Sequence, residues 1–208
     1  MRLYIYNNLK DFVKFFIGGG KFQCFFRVVL WQIHYRLRYG TSSGFIIGRN
    51  NRFDTNNRVL FRKEGTIIIG DDNHIQRNGR IVIEGGHLQL GNHCTFGEEN
   101  IFNVFGNITF GDYVLTADRV SFIGNIHQYV DTNIPIKMQP TTCDNITIGS
   151  GTWLGINSVV LAGTTIGKNC VVAANAVVKG TFPDNCVIAG LPARVVKHFD
   201  EETNKWIR

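Results

Sequence analysis

Residues 148–178 read IGSGTWLGINSVVLAGTTIGKNCVVAANAVV, and the spacing inside this stretch decides the fold. An aliphatic side chain recurs at every sixth position: Ile148, Leu154, Val160, Ile166, Val172 and Val178. A small residue follows at Gly149, Gly155, Gly167 and Ala173, and another small or hydroxyl residue stands four places after each aliphatic one, at Thr152, Ser158, Thr164, Cys170 and Ala176. This period matches neither an α-helix nor a free strand, whose side chains repeat at about 3.6 and 2 residues. Each hexad therefore sends one aliphatic side chain inward and then turns a corner, so that three hexads close a triangular coil of about 18 residues. A single coil cannot bury its apolar residues, but stacked coils bury the whole column. Gly and Asn suit such corners because they accept left-handed backbone angles at little cost.

Working outward, the same pattern appears in degraded form at Ile47-Gly48, Ile69-Gly70, Leu90-Gly91, Phe96-Gly97 and Phe110-Gly111. Successive coil starts at 47, 69, 90 and 110 lie 22, 21 and 20 residues apart, which implies small insertions at corners. From Phe110 to Ile148 the gap is 38 residues, one coil plus a surplus that falls between about His127 and Asn145. Residues 127–145 are thus expected to project as a loop, with Pro135 and Pro140 favouring an extended, non-helical path. The expected organisation is an all-β parallel β-helix over residues 41–198, an N-terminal helical cap over 1–40 and a short C-terminal helix over 199–208. Asp200-Glu201-Glu202 suit the start of that last helix and Lys205 its end. The segment 2–38, apolar and aromatic residues mixed with Lys and Arg and split by Gly18-Gly19-Gly20, reads as two short helices. They would cap the open edge of the first coil or adsorb to an anionic membrane surface.

Composition narrows the classes. In 208 residues, 44% hydrophobic content is ordinary for a soluble protein, while 23 Gly point to frequent tight turns. The net charge of +6 contains no run of five like charges that would single out nucleic acid, membrane or a phosphorylated ligand. The five cysteines, Cys24, Cys94, Cys143, Cys170 and Cys186, have neither disulfide-framework nor metal-type spacing, which fits a reducing cytoplasm. Charged residues interrupt every apolar stretch, so no export signal or spanning helix is expected.

From about Ile47 to Arg208 the chain resembles the hexapeptide-repeat acyltransferases, in particular the sugar O-acetyltransferases that include the galactoside, maltose and polysaccharide enzymes. Three segments carry the resemblance: His127-Gln-Tyr-Val-Asp-Thr-Asn-Ile-Pro-Ile136, Ile148-Gly-Ser-Gly-Thr-Trp-Leu-Gly155 and Ile188-Ala-Gly-Leu-Pro-Ala-Arg-Val-Val-Lys197. It implies a left-handed coil, acetyl-CoA as acyl donor, a carbohydrate acceptor, no metal, no nucleic acid, and a homotrimer with active sites between neighbouring subunits.

Transfer of an acyl group from a thioester to a hydroxyl needs a base, and histidine is the usual one near neutral pH. His127 lies at the root of the inserted loop and matches the second histidine of the family's segment, which makes it the candidate general base. The family's common Asp-His-x-His stands here as Gly124-Asn125-Ile126-His127, which leaves the group that orients the imidazole unassigned. By the same resemblance Trp153 would line the donor or acceptor pocket, a backbone N–H near Gly155 would support the developing oxyanion, and Asn103 would contact acceptor. Gly155 and Ala174 would flank the pantetheine arm of the coenzyme, and Lys179, Arg194 and Lys197 would reach its phosphates. Alternatives are N-acetylation of a nucleotide-linked amino sugar, an acyl-enzyme on Cys143, a zinc carbonic anhydrase built from His74, His87 and His93, and a silent membrane-docked scaffold. The histidine spacing does not support the zinc site, and no histidine lies near Cys143 in the sequence.

Overall fold

Every hexad aliphatic residue turns inward. Ile148, Leu154, Val160, Ile166, Val172 and Val178 are no more than 1% exposed, and so are the small residues four places on, Thr152, Ser158, Thr164, Cys170 and Ala176. Burial of one such aliphatic side chain stabilises by about 1.5–3 kcal/mol, so the column is the main source of cohesion. The computed structural model describes residues 44–208. The N-terminal helices expected over 2–38, and the cap they would form, lie outside the described residues.

The chain winds through three parallel faces. The first face contains Gly44–Ile47, Thr66–Ile69, His87–Leu90, Ile108–Phe110, Ile146–Ile148, Thr165–Ile166 and Thr181–Phe182. The second contains Arg52–Phe53, His74–Ile75, Thr95–Phe96, Leu115–Thr116, Trp153–Leu154, Val171–Val172 and Cys186–Gly190. The third contains Arg58–Phe61, Arg80–Ile83, Ile101–Val104, Ser121–Ile123, Val159–Leu161 and Val177–Val178. Phe110 pairs directly with Ile148, so the long gap between them is one coil plus an excursion, as the spacing implies.

The corners explain the Asn and Gly content. Asn157, Asn169, Asn175 and Asn185 have φ of 59°, 53°, 60° and 55°, the left-handed region that asparagine tolerates. After each glycine of the first-to-second corner, a short polar side chain takes the backbone N–H of the coil below. Asn92 Oδ1 accepts from Asp71 N at 2.8 Å, Asp112 Oδ1 from Asn92 N at 2.7 Å and Ser150 Oγ from Asp112 N at 3.0 Å. At Gly149 a Cβ would overlap the Gly167 carbonyl of the next coil, which fixes glycine there.

The excursion begins at Gly124, three residues before its expected start, and returns at Ile146. Asn125–His127 and Thr141–Cys143 form an antiparallel hairpin. Beyond it, Ile136–Met138 make one 3-10 turn after Pro135, a short helical interruption of the expected extended path. Gln139 is buried and latches the loop, donating from Nε2 to the carbonyls of Asp131 at 2.7 Å and Ile134 at 2.8 Å.

The C-terminal helix expected over 199–208 is not formed. Ala193–Asp200 instead runs antiparallel against Cys186–Gly190, and Lys205–Ile207 pairs back onto it. The open edge of the second face offers this strand a complete set of partners. The acidic run makes the turn: Asp200 Oδ1 accepts from Glu202 N at 3.2 Å, Asn204 has φ of 52°, and Phe199 meets the edge of Trp206 at 5.5 Å.

Ser158 Oγ is buried with no hydrogen-bond partner among the described residues, whereas the equivalent Thr164 Oγ1 donates to Leu161 O at 2.6 Å. A buried unpaired hydroxyl is unfavourable, so Ser158→Ala should raise stability by roughly 1 kcal/mol, read as a higher urea midpoint at unchanged slope. An acid-sensitive contact lies in the first coils. Partial burial pushes the Asp54 carboxyl up, but hydrogen bonds from His74 and Arg52, each 3.0 Å long, outweigh it and hold the group below its ordinary value. A carboxylate lowered in the folded state adds stability that is present above about pH 4 and lost as pH falls through the folded value. Hydrogen-exchange protection of residues 52–54 and 74–75, measured against the intrinsic rate at each pH, should therefore fall below about pH 4 in the parent protein and lose that pH step in Asp54→Asn.

Candidate active site

The excursion hairpin sets His127. In its antiparallel register His127 stands opposite Thr141, and His127 Nδ1 lies 3.3 Å from Thr141 Oγ1. The imidazole is exposed and anchored on one side, which leaves Nε2 directed away from the hairpin bond. Thr141 is thus the side chain against the ring, a neighbour that the sequence left unassigned. Asn103 lies on the third face beneath the hairpin root: it pairs with Ile123, and its carbonyl accepts from Gly124 N at 2.9 Å.

Trp153 belongs to the second face, 47% exposed, in register with Leu115 and Val171. Gly155 and Ala174 occupy the following corner in adjacent coils. A Cβ at position 155 would sit 2.6 Å from Ala174 N and 2.9 Å from Val172 O, so adjacent coils are in backbone contact there and only glycine fits. The Gly155 N–H does not serve as an oxyanion donor, because it is spent on Val172 O at 2.8 Å. Ala174 N–H has no partner among the described residues and borders that corner.

Arg194 and Lys197 stand on the reversed terminal strand of the second face, Lys197 opposite Val187 and Arg194 opposite Ala189. Arg194 Nη1 donates to the Ala193 carbonyl at 2.8 Å. Lys179 follows the last strand of the third face, which lies against the terminal strand. One chain thus places Trp153, Arg194 and Lys197 on the second face, Gly155 and Ala174 at the corner after it, and Asn103 with the root of the His127 hairpin on the third.

The remaining nucleophiles and ligands have other surroundings. Burial, then the Cys170 thiol 3.6 Å away, pushes Cys186 up to about 12, and burial also raises Cys94. Cys143 is exposed and shares the hairpin with His127, a neighbourhood hidden by the distance in sequence, but Thr141 is the residue against the ring. His74 bonds Asp54 at 3.0 Å, His87 bonds Thr66 Oγ1 at 2.7 Å, and His93 stacks on Tyr113 at 4.8 Å, so these three have separate partners. No group of three metal-ligating side chains occurs among the described residues, nor does a helix long and apolar enough to cross a membrane.

Comparison with known proteins places this geometry. Residues 145–180 match the bacterial transferase hexapeptide family, described by six repeats. The chain is 38% identical over 125 residues to a protein of Mycobacterium tuberculosis H37Rv named as an acetyltransferase, covering 60% of this chain and 42% of that one. It is 39% identical over 107 residues to WbbJ of Escherichia coli K12, named as a lipopolysaccharide biosynthesis O-acetyl transferase, covering 48% of this chain and 55% of that one. The chain thus spans about half the length of these curated relatives. A hexapeptide-repeat acetyltransferase from Vibrio cholerae O1 biovar eltor, solved in complex with acetyl-CoA, shares the fold with a TM-score of 0.55 at 22% identity, over 77% of this chain and 73% of that one. The described coil is accordingly a parallel β-solenoid whose segment 145–180 matches the bacterial transferase hexapeptide family.

Proposed function

We propose that this chain is an O-acetyltransferase that moves acetyl from acetyl-CoA to a hydroxyl of a sugar or polysaccharide unit. The observation that carries the reading is the excursion hairpin, which holds an exposed His127 against Thr141 on a hexapeptide coil similar to named acetyltransferases. The exposed Trp153 ring offers a surface to the slender pantetheine arm on the second face. Arg194 and Lys197 supply cations at the end of the same face.

Acetyl-CoA supplies the thioester, whose C–S bond breaks as the acceptor oxygen forms the new C–O bond. With Nδ1–H donating to Thr141 Oγ1, His127 Nε2 carries the lone pair and takes the hydroxyl proton as that oxygen attacks. The same nitrogen returns the proton to the departing sulfur, so the base is regenerated without an acyl-enzyme. Asn103, one coil below, would orient acceptor hydroxyls.

Because His127 and Trp153 occupy different sides of one prism, a complete site is assembled between neighbouring copies, as in a homotrimer. The excursion is built for such a contact: Tyr129, Val130 and Met138 are 71%, 82% and 77% exposed in one chain. Asp11 is the single acidic residue of residues 1–43, and the whole formal charge of +6 resides there, which supports a peripheral contact of that segment with the anionic inner face of a membrane.

The test is release of free thiol from acetyl-CoA in the presence of a panel of sugars, with the product located by NMR. Acetylation of a hydroxyl supports the reading. Acetylation restricted to amino sugars would replace it by N-acetyl transfer, and absence of turnover across the panel would leave a binding scaffold.

A further inference from the structure

Arginines of the first two coils fall into two sets. Arg49 meets Asp71 at 3.2 Å, Arg52 meets Asp54 at 3.0 Å, Arg62 meets Glu84 at 2.9 Å and Arg77 meets Glu98 at 2.8 Å. Arg58 and Arg80 are exposed and have no ion-pair partner among the described residues. They are also direct register partners on adjacent parallel strands of the third face. Like charges paired across a sheet repel, and neighbouring arginines in this chain are consistently given carboxylates. Two uncompensated guanidinium forks side by side are a cradle for an anion with several oxygens.

The pair shares its face with the acceptor side of the proposed site. Arg80 is in register with Ile101, two residues before Asn103, and Asn103 is in register with Ile123, from which the His127 hairpin departs. Strands in a sheet are spaced by about 4.8 Å, so Arg80 and Arg58 lie about 10 and 14 Å down the axis from the coil that launches the hairpin. A glycosyl diphosphate, longer than its sugar unit by two phosphate groups, covers that span together with the reach of the arginine side chains. We propose that Arg58 and Arg80 bind the phosphates of a glycosyl diphosphate, so that the acceptor of this enzyme is a sugar carried on a diphosphate rather than a free sugar. The inference rests on the acetyl-transfer reading for its location, and on the two arginines for its ligand.

Inorganic pyrophosphate is the direct probe, titrated calorimetrically into the full chain with CoA present at saturation so that the coenzyme's own phosphate site is filled. The parent protein should bind it in a saturable, salt-sensitive manner. The double variant Arg58→Gln, Arg80→Gln should weaken binding roughly ten- to a hundredfold, the loss expected for charge-assisted hydrogen bonds. Arg58→Lys, Arg80→Lys keeps the charge, loses the forks and should recover part of the affinity. Absence of saturable binding, or equal affinity in the parent and the Gln pair, overturns the proposal. Steady-state acetylation then distinguishes the carrier: the Gln pair should raise KM for a nucleotide-diphosphate sugar or for a polyprenyl-diphosphate sugar, whichever is the acceptor, and leave KM for the free sugar unchanged. Equal KM values across parent and variant for all acceptors would also overturn it. If the parent acetylates nothing, the acetyl-transfer reading falls, and the pyrophosphate titration still decides the arginine site.

Discussion

His127→Ala is expected to lower turnover by about a hundred- to ten-thousandfold, the usual contribution of a positioned general base. Coenzyme binding should persist, because the proposed coenzyme residues Trp153, Arg194 and Lys197 lie on the second face, away from the hairpin. The variant should also fold as the parent does, since the imidazole is exposed and its one described side-chain bond is to Thr141. Thr141→Val tests the orienting bond separately: it keeps the base, removes the hydroxyl at Nδ1, and should reduce kcat by about tenfold with KM for acetyl-CoA unchanged. Single-turnover kinetics on the two variants makes the measurement. Retained turnover in His127→Ala would remove the imidazole from the base role and return attention to Cys143 on the same hairpin.

Phe110→Ala should produce the largest loss of stability, about 3–5 kcal/mol. Four phenylalanine rings fill the prism in the third and fourth coils. Phe110 meets Phe96 at 5.2 Å and Phe122 at 4.9 Å, both edge to face, and Phe102 stacks on Phe122 at 5.1 Å. All four are at most 2% exposed, and each comes from a different strand. Removing the ring shared by three edge contacts leaves a void that the rigid coil backbone cannot close, because its ladder fixes the distance between coils. Denaturant unfolding should show the shift. A change below about 1 kcal/mol would mean that neighbouring rings repack into the space.

The column of aliphatic residues was fully legible because one physical constraint, a corner every sixth residue, repeats without exception from Ile148 to Val178. Residues that depend on pairing across an irregular segment were not. Thr141 lies 14 residues from His127, and nothing in the intervening sequence states which strand residue will face the ring. The start of the excursion is hidden for the same reason: Asn125 and Ile126 look like more coil until their antiparallel partners are known, so it falls three residues earlier than expected. At the C-terminus, Asp200-Glu201-Glu202 suits a helix start and a strand turn equally, and the free edge of the second face decided between them. Trp153, Gly155 and Ala174 could be matched by resemblance, but their separation from His127 is a property of the winding and has no local signature.

The reversed terminal strand also governs how long such a prism can become. Parallel coils present the same exposed amides and carbonyls at each end, so two copies stacked head to tail would continue the winding into a filament. Ala193–Asp200 runs antiparallel to Cys186–Gly190 and is itself covered by Lys205–Ile207, so the edge on which a further coil would stack is occupied by a hairpin set outside the winding. The hairpin that it forms with Lys205–Ile207 thus acts as a terminator of growth, keeping a repetitive architecture finite.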